Sequence, residues 1–227
     1  PRMAEVVVVG GGVGGLAAAI RRRARGDRVT VFERLPEMGG KLAVRERDGF
    51  WFDIFQVQHG CYCDRCRTSM AEKGIDVDNE EAVIAHFAGV YKAHMADMRA
   101  TIAAHHPHAT VFFNGTTAFG RGNQRYGTHV YNTHQDLEDL PTGWGGYDKF
   151  PLRSKYYLGE GYQICAMSGK FHTSWGEFGG FKHPDAIKYE AASMIAFGSV
   201  CNFGDQLHPT GIMDPQTYRN IGEAMAY

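Results

Sequence analysis

The stretch Val6-Val7-Val8-Val9-Gly10-Gly11-Gly12-Val13-Gly14-Gly15-Leu16 decides how the chain begins. Glu5 to Val9 is a short β-branched run, Val13 to Arg25 has the length and the Ala/Leu content of a helix, and Arg28 to Glu33 is a second apolar run. That order predicts strand, helix, strand. Gly10, Gly12 and Gly15 fall in the G-x-G-x-x-G spacing at the turn between the first strand and the helix. In such a turn the first glycine permits the tight bend and the second lets backbone approach a pyrophosphate. The third lets the helix pack on the strand, with its N-terminus facing the phosphate charge. Glu33 closes the second strand roughly 20 residues on, where a carboxylate can accept hydrogen bonds from ribose hydroxyls. Strand, helix, spacing and acid agree on a dinucleotide-binding βαβ unit, with residues 1–48 as its extent.

The run Glu33-Arg34-Leu35-Pro36-Glu37-Met38-Gly39-Gly40-Lys41 carries a glycine pair after the ribose acid. With the fingerprint before it, this segment resembles the FAD-binding N-terminus of phytoene desaturases and the related amine-oxidase-like flavoproteins. The resemblance runs from about Glu5 to Asp53. It implies FAD as the nucleotide, held by Gly10, Gly12, Gly15, Glu33, Arg34, Gly39 and Gly40. Such a flavoprotein would continue with a glycine-proline pair after Phe52-Asp53, a substrate domain and a late glycine-rich segment over the flavin, none of which is recognisable. FAD binding is therefore expected to be weak, because the pocket for the flavin ring is missing, and an oxidoreductase fragment or a catalytically inactive fusion is the alternative reading of the chain.

Composition sets the outer bounds. The chain has 227 residues, with 24 Lys plus Arg against 25 Asp plus Glu, which gives no electrostatic reason to expect nucleic acid or an anionic membrane as partner. Val6 to Ile20 is too short and too glycine-rich to span a bilayer, and Glu5 stands where a signal peptide would be basic. The expectation is a cytoplasmic protein without a leader. Five cysteines, an odd number, do not form a secreted disulfide framework and are expected as thiols. The 29 glycines point to many strand-to-helix turns and to loops that approach a ligand closely.

From about residue 49 the character changes. Phe50 to Val57 is aromatic and nearly continuous, the profile of a strand buried on both faces. Further strands are expected at Ala109 to Asn114, Val130 to Glu138, Gln163 to Ser168 and Ser199 to Gly204. Helices are expected at Asn79 to His105, Pro184 to Phe197 and Pro215 to Ala226. Pro184 and Pro215 follow His183 and Asp214, which is helix-start chemistry. Alternating strands and helices predict parallel βα units.

Several stretches in this part carry a second likeness: Asp48-Gly49-Phe50-Trp51-Phe52-Asp53, Cys61-Tyr62-Cys63-Asp64-Arg65-Cys66, Phe112-Phe113-Asn114-Gly115, Leu137-Glu138-Asp139-Leu140-Pro141-Thr142-Gly143, Lys170-Phe171-His172-Thr173-Ser174-Trp175-Gly176 and Gly204-Asp205-Gln206-Leu207-His208-Pro209. They resemble the later portion of a bacterial glycoside-hydrolase-like family related to α-L-fucosidases. The resemblance implies strands four to eight of a (β/α)₈ barrel over residues 49–227. The fold class expected for the whole chain is α/β with mainly parallel strands, a Rossmann-type βαβ unit followed by a partial TIM-like barrel. Asp48-Gly49-Phe50 and Phe52-Asp53 suit both families, so the chain reads as a chimaera joined at a shared motif. Five strands of eight leave unpaired edges that need cover, for which the N-terminal strands Val6 to Val9 and Val29 to Phe32 or a homo-oligomer are the candidates.

In the fucosidase-like families the nucleophilic aspartate follows strand four, which implies Asp53. Retaining hydrolysis needs a second carboxyl about 5–5.5 Å away as acid/base. Glu138, at the end of the third strand of this part, is the nearest positional candidate, with Glu177 in reserve. The substrate class implied is a carbohydrate-like small molecule. Trp144, Tyr147, His172, Trp175 and His208 are expected in loops after strands, where aromatic faces and imidazoles can hold a sugar, and Asp205 is a further candidate contact. Core packing is the competing reading for the tryptophans, helix capping for Asp205, a solvated charge for Lys170, loop capping for Asp53 and solvent exposure for Glu138. Cys61, Cys63 and Cys66 with His59 could hold tetrahedral zinc, but they read in preference as reduced structural thiols, so no metal is assigned.

Overall fold

A computed structural model describes residues 3–9, 13–32, 49–55, 60–119, 126–177 and 179–226. The chain divides into two compact units, Pro1–Glu46 and Arg47–Tyr227.

In the first unit, β1 (Glu5–Val9) and β2 (Arg28–Phe32) pair in parallel, Glu5 opposite Arg28 and Val9 opposite Phe32, with α1 (Val13–Ala24) as the crossover. A parallel pair needs such a crossover, and a helix is the short way to supply it. Asp27 is the hinge of the return. Its Oδ1 accepts from the Ala4 backbone N–H at 3.1 Å and its Oδ2 meets Arg22 Nε at 2.9 Å. Gly26, at φ +90°, makes the left-handed step before it, which costs glycine nothing. Both strands alternate between exposed and half-buried positions, as one covered face requires.

In the second unit, β3 (Gly49–Phe52) pairs in parallel with β4 (Thr110–Phe113), and β5 (Gln135–Glu138), β6 (Ile164–Gly169) and β7 (Ser199–Gly204) form a parallel sheet in that order. The helices are α2 (Asp64–Glu72), α3 (Glu80–His105), α4 (Gly146–Gly159), α5 (Pro184–Ala196) and α6 (Pro215–Met225). The α/β class with parallel strands holds, and the described strands do not close into a barrel. Local chemistry sets the helix starts. Asn79 Oδ1 accepts from the Ala82 N–H, His183 Nδ1 from Asp185 and Asp214 Oδ1 from Gln216, with Pro184 and Pro215 in first-turn positions. No helix among the described residues is long and apolar enough to cross a membrane.

Two hydrophobic clusters carry this unit. Met95, Ile102, Val111 and Phe113 join α3 to β4, with Phe50, Phe52 and Phe55 packed against them. Leu137, Phe150, Tyr157, Ile164, Ala166 and Met194 join α4 and α5 to β5 and β6.

The expected strand from Val130 begins late. Thr128–Tyr131 is a 3-10 turn and β5 starts only at Gln135. The reason lies in Asn132 and Thr133, which bond to the free edge of β4. Phe113 N–H donates to Asn132 Oδ1 and Val111 N–H to Thr133 Oγ1, both at 2.9 Å. Such side-chain bonds compete with a ladder and delay it. Two helices were not foreseen, α2 and α4. The latter follows a π turn at Pro141–Gly145, so Trp144 lies in that turn and Tyr147 in α4 rather than in an open loop.

Candidate active site

Parallel strands end on a common face, and in barrel-like sheets that face collects the chemistry. Asp53 follows β3, Asn114 follows β4 and Glu138 ends β5. The Asn114 side-chain amide joins them. Its Nδ2 donates to Asp53 Oδ1 at 2.9 Å and to Glu138 Oε2 at 2.8 Å. Two oxygens bonded to one nitrogen are no farther apart than the two bonds laid end to end, under about 6 Å, an upper bound compatible with the spacing of a retaining carboxylate pair. The structure thus brings Asp53 and Glu138 together. Asp53 is exposed and Glu138 half-buried.

The backbone beneath this arrangement is fixed. Asn114 N–H donates to Phe52 O at 2.7 Å and Phe55 N–H to Asn114 O at 2.6 Å, carrying the β3–β4 ladder past the strand ends. Asn114 Oδ1 accepts from the Gly115 N–H, and Gly115 sits at φ +92°. Ile54, next to Asp53, has φ 55°, a left-handed conformation that a β-branched residue adopts only under constraint. Its N–H donates to Asp53 Oδ1 at 2.9 Å, so the strained residue also orients the carboxylate. Trp51 Nε1 donates to Asp136 Oδ2 at 3.0 Å, a second tie between β3 and β5.

Trp175 holds the other side of Glu138, its indole N–H donating to Oε1 at 2.5 Å. The ring lies over the last residues of β6 and β7. A Cβ on Gly204 would stand 2.2 Å from Trp175 Cζ3, and one on Gly169 would stand 3.1 Å from it. Only glycine at the end of β7 leaves room for the ring. Phe171 meets it edge-on at 5.2 Å. Trp175 is thus half-buried as a partner of Glu138.

The remaining candidates divide. Lys170 and Asp205, at the ends of β6 and β7, have enclosed side chains that form an ion pair at 3.3 Å. Asp205 Oδ1 also takes the Gln206 N–H at 2.7 Å, and Oδ2 is buried with no partner among the described residues. His172 is exposed. His208 is exposed too, and its Nδ1 accepts the Thr210 N–H within its own turn. Glu177 Oε2 accepts the Thr173 N–H at 2.7 Å, and that bond holds its carboxyl below the usual range. Tyr147 donates to Glu190 at 3.3 Å, beside the buried Lys182–Glu190 pair. Cys165 and Cys201 stand half-buried in β6 and β7, and burial pushes the Cys165 thiol up to about 12.

Sequence reading missed Asn114, Gly204 and Ile54 as parts of the site, and Lys170, which the sequence offers as a solvated charge, is instead buried in its pair with Asp205. Asn114-Gly115 carries the signal of a turn, and the link to two carboxylates is set by strand pairing alone. Of the nucleotide fingerprint, Gly15 lies in α1. Gly10, Gly12, Glu33, Arg34, Gly39 and Gly40 lie outside the described residues, as does His59.

Residues 8–61 match the NAD(P)-binding Rossmann-like domain family. Over 49 residues the chain is 49% identical to a 4,4'-diapophytoene desaturase (4,4'-diaponeurosporene-forming) of Staphylococcus haemolyticus, covering 22% of this chain and 10% of that protein. Over 50 residues it is 45% identical to a 4,4'-diaponeurosporene oxygenase of Staphylococcus aureus, with the same coverage. Among solved structures, alpha-L-fucosidase isoenzyme 2 from Paenibacillus thiaminolyticus superposes with a TM-score of 0.72 at 44% identity, over 79% of this chain and 26% of that one. The chain spans a tenth of the curated relatives it matches and about a quarter of the fucosidase. Its N-terminal segment is similar to one kind of protein and most of its length to another.

Proposed function

We propose that the chain is a composite in which the part from about residue 49 hydrolyses a glycosidic bond with retention of configuration. Asp53 is the nucleophile and Glu138 the acid/base. The observation that carries this reading is the single Asn114 amide hydrogen-bonded to both carboxylates. In the first step Asp53 bonds to the anomeric carbon while Glu138 delivers a proton to the departing oxygen. In the second, Glu138 takes a proton from water as that water displaces Asp53. Trp175 and Asn114 hold Glu138 in place for both steps, while the exposed His172 and His208 are contacts for sugar hydroxyls and Asp205 is held in its ion pair with Lys170. An α-L-fucoside is the first substrate to test, because the superposed neighbour bears that name. The setting is cytoplasmic, where the five cysteines stay thiols. A second copy of the chain covers the outer edges of β3 and β7.

The test is release of the aryl group from a panel of aryl glycosides by the full chain, alongside Asp53→Asn. Turnover reduced at least about a thousandfold in the variant supports the assignment. Absence of turnover across the panel, or equal rates for both proteins, overturns it.

The N-terminal segment favours a second, separate capacity, binding of FAD through its ADP half at Gly10 to Gly15 with Glu33 on the ribose. The support is the desaturase identity and the family match. Calorimetry with FAD and with ADP should show weak binding that Glu33→Ala weakens further. Unchanged affinity in the variant would remove Glu33 from the site.

A further inference from the structure

We propose that Cys61, Cys63 and Cys66 form a surface zinc site, with three thiolates from the chain and a solvent molecule as the fourth ligand. The three Sγ atoms lie within 4.8 Å of one another. Tetrahedral zinc with bonds of about 2.3 Å sets its sulfurs about 3.8 Å apart, so closing on the ion needs side-chain shifts of under about 1 Å. Their exposure supports a metal site over a packing role for these thiols. Cys61 and Cys63 are exposed and Cys66 is half-buried, whereas a thiol kept for packing is among the most buried of side chains.

The loop that carries the sulfurs is also held by contacts on either side of them. Gly60 presses against α3 so closely that a Cβ there would stand 2.2 Å from Val83 Cγ1, and Val83 is fully buried. Arg67 then ties the loop to the start of α2. Its Nε donates to Tyr62 O at 2.8 Å, its backbone N–H donates to Cys63 O at 2.9 Å, and its guanidinium lies 5.4 Å over the Tyr62 ring. Met70, fully buried, anchors the other end of α2. The site is therefore preorganised, and binding spends little on ordering the loop. Thiolates select zinc over magnesium or calcium. On binding, the thiols release their protons to solvent and three S–Zn bonds form, with no change of oxidation state. A Cys63–Cys66 disulfide would need an oxidant and would leave Cys61 idle.

The test uses the full chain, reduced and metal-free, titrated with Zn²⁺ by calorimetry and with Co²⁺ by its thiolate charge-transfer absorption. One ion per chain is expected. Cys61→Ser, Cys63→Ser and Cys66→Ser should each weaken zinc binding at least about a hundredfold, and Cys201→Ala should leave it unchanged. Cys61 is exposed, so its substitution leaves the fold intact, which circular dichroism verifies. No binding, binding indifferent to the three substitutions, or air oxidation to a Cys63–Cys66 disulfide as fast with equimolar zinc as without would each overturn the proposal. None of these readouts involves glycoside turnover, so the site stands or falls apart from the proposed hydrolysis.

Discussion

Replacing Asn114 by aspartate probes the candidate site without relying on activity. The variant keeps an oxygen to accept the Gly115 N–H and exchanges only the shared N–H donor for a second oxygen. A hydrogen bond to a charged group contributes about 1.5–3 kcal/mol. The Glu138 arm is half-buried and counts near the lower end of that range, while the exposed Asp53 arm is discounted for solvent screening to under about 1 kcal/mol. The loss is about 2–3 kcal/mol before repulsion is counted. Three carboxylates then face one another, and like charge raises the pKa of the group in the folded state above its unfolded value. Between about pH 4 and that raised value the folded protein holds a proton that the unfolded chain does not, so the variant gains stability as pH falls through this window. Differential scanning calorimetry at pH 8 should place the variant's transition roughly 5–10 °C below that of the parent protein, and the gap should narrow by pH 5. An equal gap at both pH values, or none, would refute the convergence of Asp53, Asn114 and Glu138.

Phe113→Ala, at a fully buried ring stacked 5.1 Å from Phe52, should cost about 3–5 kcal/mol in urea unfolding, and a cost under about 1 kcal/mol would contradict its place in the core. Lys182→Met strands Glu190 in the interior without its cation and should also cost about 3–5 kcal/mol, with most of the loss recovered when Glu190→Leu is added. Gly204→Ala drives a methyl group into the Trp175 ring. In a chain whose other two tryptophans are phenylalanine, acrylamide quenching of Trp175 should rise, and unchanged quenching would mean that the ring does not lie on β7.

What could be read from the sequence follows from how local the cause is. Pro184 after His183 and Pro215 after Asp214 start helices by their own backbone chemistry, and those helices begin where expected. The β-branched and aromatic runs at Glu5–Val9 and Ala109–Asn114 likewise declare themselves as strands, whereas the run expected from Phe50 to Val57 ends as a strand at Phe52, before the left-handed Ile54, and alternates exposed and half-buried positions instead of being buried on both faces. The misread elements depend on distant partners. Val130 and Tyr131 have strand composition, yet Asn132 and Thr133 serve the edge of β4 and hold the chain out of the ladder. Asp64–Glu72 buries only Met70 and so shows no apolar stripe, and α4 carries Pro151 in its interior, a residue that argues against a helix. Asp53 and Glu138 were paired as candidates by the fucosidase-like resemblance together with their places near strand ends. Their link through Asn114, and the seating of Trp175 over Gly204, arise only when strands far apart in the chain are laid side by side.

The most direct test of the central claim is covalent trapping. A 2-deoxy-2-fluoro-L-fucosyl fluoride slows the second step of a retaining reaction more than the first, so the glycosyl-enzyme accumulates and intact-mass and peptide mass spectrometry locate it. The account predicts one sugar per chain, attached to the peptide containing Asp53 and absent from Asp53→Asn. A sugar on another carboxylate, or no adduct after prolonged incubation, would contradict it.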